Sequence, residues 1–114
     1  MKYEIEKTGK FVMIHIVGDF SPELSTKVIN DELEQLMKKG EHHIVFNLEK
    51  TTYLDSSGIG VFVHCLVDAN ENGGSVYLIA EEEQVLEILS MVGIDSLMTI
   101  YKSKDDFLAD QGLD

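Results

Sequence analysis

The sequence predicts a single α/β domain over residues 1–114, with a mixed, mostly parallel sheet of about five strands packed with about four helices. Three observations carry this. Segments with strand and helix character take turns from residue 11 to the end of the chain. A hairpin signal precedes them and adds an antiparallel edge strand. The glycines and the one proline fall between these segments or at their ends, where they punctuate rather than interrupt.

Taken in order, Tyr3, Ile5 and Lys7 alternate with Glu4 and Glu6, the pattern of an edge strand with one wet face. Gly9-Lys10 turns it into Phe11–Val17, which is apolar almost throughout, rich in branched residues and therefore more central. Ser21-Pro22 opens the first helix as N-cap and first helical residue. Ile29, Leu33 and Leu36 form its apolar stripe with Met37 beside them, and Lys38-Lys39-Gly40 closes it. His43–Leu48 is the next strand, and Thr51-Thr52-Tyr53-Leu54 reads as a short connection. A helix follows from the serine pair to about Asn72, ended by Gly73-Gly74, and Ser75–Ala80 is again a strand. Val85, Leu86, Ile88, Leu89 and Val92 mark an amphipathic helix stopped by Gly93. Leu97–Tyr101 is the last strand, and Ser103 caps a small helix carrying Phe107 and Leu108.

Composition narrows the class. Asp and Glu number 21 against 9 Lys and Arg, a formal net charge of −12, which repels nucleic acid and anionic membrane and suits a basic protein partner. The lone Cys65 has no internal disulfide partner and fits a reducing cytoplasm. No secretory signal opens the sequence, and no apolar run approaches the roughly 20 residues that cross a bilayer, so membrane insertion is not expected.

The most informative stretch is Tyr53-Leu54-Asp55-Ser56-Ser57-Gly58-Ile59-Gly60-Val61. It sets two hydroxyls where a strand region gives way to a helix. Asp55 or Ser56 can cap the free N–H groups there, and the electropositive helix start suits an anion, including a phosphate on one of the serines. Gly58 and Gly60 are poor helix formers and would let another molecule approach the serine backbone closely. A plain N-cap is the simpler reading, but it does not require the glycines. In the helix that follows, Ile59, Phe62, Val63 and Leu66 share a face expected in the core. Val61 and Cys65, with His64, fall toward another side expected to meet solvent. Together with Ile59 and Gly60 they make a candidate partner patch contiguous with Ser56, unless the helix is simply well buried. The Gly18-Asp19-Phe20-Ser21 turn is placed by topology at the same sheet end.

On these residues the whole chain resembles a free-standing STAS domain of the anti-sigma factor antagonist (anti-anti-sigma factor) family. The marker is similar to that family's hydrophobic–Asp–Ser–Ser/Thr–Gly–Leu–Gly signature. Gly18-Asp19, Ile44-Val45-Phe46-Asn47-Leu48, Asn72-Gly73-Gly74 and Val85–Gly93 with Ile94 and Leu97 support it. The resemblance implies that Ser56 is phosphorylated by a partner that is both anti-sigma factor and serine kinase. The unphosphorylated form would capture that partner and free the sigma factor. A metal-dependent serine phosphatase would reverse the modification. Asp55, Ser57, Gly58, Asp19 and Ser21 form the phosphosite neighbourhood, with no catalytic residue, metal or cofactor of the chain's own. Ser21 departs from the pattern, since the family often carries an acid there. If that acid contributes to kinase recognition, its loss would change the partner or slow phosphotransfer, unless Asp19 or Glu23 compensates.

Rival readings are weaker. Ser56 lacks the Gly-x-Ser-x-Gly elbow of a hydrolase, although His15, His42, His43 and His64 are available as bases. His42-His43 has no evident third metal ligand. A nucleotide-binding module would need Gly-Lys-Ser/Thr or Gly-x-Gly-x-x-Gly, and neither is present. Within the resemblance, the alternative is a STAS regulatory subunit of another assembly, such as a transporter or stress-signalling complex.

Overall fold

The computed structural model describes residues 2–20 and 23–113, with the side chains of residues 23–25 outside the description. Six strands and four α-helices are found among the described residues: β1 (Lys2–Thr8), β2 (Phe11–Phe20), α1 (Glu23–Lys38), β3 (His43–Asn47), β4 (Thr51–Leu54), α2 (Ser56–Glu71), β5 (Ser75–Ile79), α3 (Glu83–Met91), β6 (Ile100–Tyr101) and α4 (Lys104–Asp110). The sheet runs β1-β2-β3-β5-β6, with β4 paired to β2. Only the β1–β2 hairpin is antiparallel, so the expected mixed, mostly parallel α/β architecture is found. The expected Ser21 cap and Pro22 lie outside the described residues.

From Phe11 to Val17 strand β2 reads as apolar almost throughout because both its faces are covered. Val12, Ile14 and Ile16 join Ile29, Leu33 and Leu36 of α1, and Val61, Phe62 and Cys65 of α2, in the main core. Phe11 and Met13 point the other way, where Phe107 of α4 closes a smaller core with Val45 and Ile79. Phe107 lies edge-on to Phe11 and Tyr101, at centroid distances of 5.1 and 5.3 Å. Lys104 at the start of α4 donates to both Glu6 carboxylate oxygens at 2.9 and 3.0 Å, tying this helix to the edge strand. The close approach of the α2–β5 turn to the entry of β3 depends on Gly74, since a Cβ there would lie 1.8 Å from the His42 carbonyl oxygen.

Three expectations are corrected. Thr51–Leu54 is a sixth strand rather than a connection, and it takes up the pairing with β2 beyond the point where β3 ends. Its two threonines and a tyrosine suit extended backbone, and the buried Thr51 hydroxyl donates to the Ile16 carbonyl at 2.8 Å. Consequently Gly18, Asp19 and Phe20 belong to β2 instead of a turn. The last strand shrinks to Ile100–Tyr101, because Gly93, at φ 80°, leads into a 3-10 turn over Ile94–Ser96. Ile94 and Met98 face the core from this stretch. Finally, Val92 lies just past α3 and is exposed, leaving Val85 and Leu89 as that helix's buried residues.

Candidate functional site

The serine motif stands where β4 ends and α2 begins, and its three polar residues have separate duties. Asp55 is extended, at φ −125° and ψ −171°, and caps α2. Its Oδ1 accepts from the backbone N–H of Ser57 at 3.0 Å and of Gly58 at 3.4 Å, satisfying donors a helix start otherwise leaves open. The Ser57 hydroxyl donates to the same oxygen at 2.6 Å. That bond first, then the two amides, hold the Asp55 carboxyl below the usual carboxylate range against an upward push from desolvation. Ser56, the first residue of the helix, is exposed, and no described residue accepts from or donates to its hydroxyl. Among the described residues, one hydroxyl is fastened and its neighbour has no partner.

Gly58 serves internal packing rather than the approach of another molecule. A Cβ at this position would lie 2.6 Å from Leu54 Cδ1 and 2.7 Å from the Phe20 carbonyl oxygen, so the helix start sits directly on the β2–β4 pair. Gly60 is different: it is exposed, and a Cβ there would meet nothing within 4 Å.

The expected closeness of Asp19 to the motif is found. Asp19 pairs with Tyr53 and Phe20 with Leu54, and Thr52 Oγ1 donates to Asp19 Oδ1 at 2.7 Å. Asp19, Asp55, Ser56, Ser57 and Gly58 therefore gather at one end of the sheet, while Ser21 lies outside the described residues.

The partner patch expected on α2 is corrected. Val61 is 2% and Cys65 1% exposed, and Ile59 is buried as well, because α1 packs along this side and its Leu33 and Leu36 share their core. Burial, and then the Asp68 carboxylate, push the Cys65 thiol up to about 12, so it is a packing residue. Val63 and Leu66, expected in the core, are only partly buried. The exposed positions of α2 near the motif are Gly60 and His64, whose Nε2 lies 3.3 Å from Asp68. Apolar periodicity alone could not tell a helix covered on one side from one wedged between a sheet and a second helix.

The histidines are committed elsewhere. His15 Nε2 and Glu6 Oε1 are 2.8 Å apart, His42 meets the Met37 carbonyl at 3.2 Å, and His43 Nδ1 meets Ser75 Oγ at 2.9 Å. Among the described residues no group of His, Cys, Asp or Glu is arranged to hold a metal ion, and no helix is long and apolar enough to cross a membrane.

The chain is thus an α/β domain with a capped helix start and, among the described residues, an unpartnered hydroxyl beside the cap. The chain is a member of the STAS domain family, whose model matches residues 2–107. It is 28% identical over 102 residues to the anti-sigma-B factor antagonist of Staphylococcus aureus, covering 88% of this chain and 94% of that protein. A counterpart of the same name from Staphylococcus epidermidis is 30% identical over 73 residues, covering 60% and 68%. Among solved structures, an anti-sigma factor antagonist from Mycobacterium paratuberculosis superposes with a TM-score of 0.84 at 14% identity, covering 96% of this chain and 92% of that one. The anti-sigma factor antagonist SpoIIAA superposes in its unphosphorylated form with a TM-score of 0.77 and, as the Bacillus cell fate determinant, in its phosphorylated form with 0.76, both at 17% identity. The unphosphorylated form covers 97% of both chains, the phosphorylated form 96% of this chain and 98% of that one.

Proposed function

We propose that this protein is a phospho-regulated binding switch. Its unphosphorylated form captures an anti-sigma factor that is also a serine kinase, and so releases a sigma factor in the cytoplasm. Phosphorylation of Ser56 ends the capture, and a metal-dependent serine phosphatase restores it. The supporting observation is the division of labour at the motif: Asp55 and Ser57 are used up in the cap, while Ser56 holds an exposed hydroxyl at the first helical position. Relatives named as anti-sigma-B factor antagonists supply the partner class.

The chemistry asks little of the chain itself. All three donors to Asp55 meet its Oδ1 and hold the carboxyl below its usual range, which makes it a weak base. In this reading the kinase supplies the base that takes the Ser56 proton as phosphorus is attacked. The product carries roughly −1.5 to −2 charges beside Asp55 and near Asp19. Because Asp55 already occupies the amides of Ser57 and Gly58, the phosphate is left to solvent or partner. Its charge therefore weighs on the interface more than on the fold, by repelling partner acids and by the desolvation a buried dianion would require. That SpoIIAA keeps a similar fold in both forms agrees with this.

Incubation with the cognate kinase and ATP, followed by mass-spectrometric mapping, should place phosphate on Ser56. Phosphate solely on Ser57 or another residue rejects the assignment. Ser56→Ala should still bind the kinase and Ser56→Asp should bind it more weakly; equal affinities argue against an electrostatic switch.

A further inference from the structure

The apolar surface expected on α2 lies instead one element away. Between β4 and α3 runs a groove of about 270 Å³, lined by Thr52, Tyr53 and Leu54 on one side and by Val85, Ile88 and Met91 on the other. Tyr53 is 51% and Met91 77% exposed, an unusual position for two large apolar side chains flanking one depression. The strand wall of the groove ends at Leu54, two residues before Ser56, which places groove and hydroxyl at the same end of β4.

Charge decides what this groove can take. Its polar lining includes Glu87 and Gln84 and no cation. The segment from Glu81 to Met91 holds four glutamates and no lysine or histidine, while Asp19 and Asp55 stand at the adjoining end of β2 and β4. A second copy of this chain would bring the same acidic rim and another net charge of −12, and would be repelled. We infer that the β4–α3 groove is the anchor half of the partner-binding face. It receives an apolar side chain that is flanked by lysine or arginine on the partner protein, next to the phosphorylation switch at Ser56. This rests on the proposed function for the adjoining half of the face, and on nothing in it for the groove's own ligand chemistry.

The full-length protein, labelled with ¹⁵N, can be titrated with a capped hexapeptide carrying a Leu-Phe centre between two pairs of Lys/Arg, and with an acidic twin of the same centre. Amide shifts should concentrate at 52–54 and 84–91 with the basic peptide only. Met91→Ser should weaken this binding by about fivefold, the order expected for losing part of one buried side chain. Glu87→Lys should abolish the preference for the basic peptide. Both substitutions are at exposed positions, and unchanged spectra elsewhere report that the fold is intact. Shifts outside the groove, no shifts, or equal response to both peptides would overturn the inference. So would a concentration-dependent dimer in sedimentation that Met91→Ser dissolves, which would make a second copy the occupant. Ser56 mapping with the kinase is a separate arm. Groove binding without Ser56 phosphorylation would sink the switch alone, and phosphorylation without groove binding would sink the anchor alone.

Discussion

Ser56 and Ser57 are neighbours in sequence, yet their hydroxyls are differently committed. Asp55→Ala removes the acceptor for two helix amides and should cost about 1 kcal/mol in urea unfolding, the usual worth of an N-cap. Ser56→Ala touches no bond among the described residues and should stay within about 0.5 kcal/mol of the parent. The pH dependence follows from the same geometry. The Asp55 carboxyl is held below its ordinary value of 3.8 in the folded protein. Its contribution is therefore fully present above that value and is lost as pH falls through the lower, folded one. Asp55→Asn keeps a capping oxygen and should flatten this acid limb while leaving stability at neutral pH nearly unchanged. Sequence made the polar trio legible as a helix cap beside a proposed phosphosite. It did not say which oxygen caps, since Asp, Ser and Thr are all good N-caps and only the backbone angles at Asp55 choose among them.

In helix α2 the two glycines of the motif should respond in opposite directions. Gly58→Ala drives a methyl into Leu54 and the Phe20 carbonyl and should destabilise by about 1–3 kcal/mol. Gly60→Ala meets open space in a helix and should stabilise by about 0.5–1 kcal/mol. Denaturant titration of the two variants separates a packing glycine from a surface one. Helix α4 offers a second contrast. Phe107→Ala empties the small core beneath it and should cost about 3–5 kcal/mol. Lys104→Ala removes a partly exposed ion pair with Glu6 and should cost under about 1 kcal/mol. Most helices were legible because their stripes, caps and glycine stops agree. The strand β4 was not, because four residues of mixed burial show no alternation. The second cover on α2 was not either, because burial of Val61 and Cys65 is imposed by α1, a tertiary neighbour that a local pattern does not contain.

Across the molecule, one sheet organises structure and proposed function. Its two faces are covered, by α1, α2 and α3 on one side and by α4 on the other, so the sheet itself meets solvent at its edges and ends. One end gathers Asp19, Asp55 and Ser56 beside the β4–α3 groove. The proposed phosphosite rests on its motif, and the fold was readable from the alternation of elements. The groove was not, since its walls come from segments some thirty positions apart, Thr52–Leu54 and Gln84–Met91. The switch itself is tested most directly by installing phosphoserine genetically at position 56 and titrating both forms into the partner kinase by calorimetry. The unmodified protein should bind tightly and the phosphorylated one at least a hundredfold more weakly, a difference of about 2.7 kcal/mol. Equal affinity of the two forms, with both equally folded by circular dichroism, would contradict it.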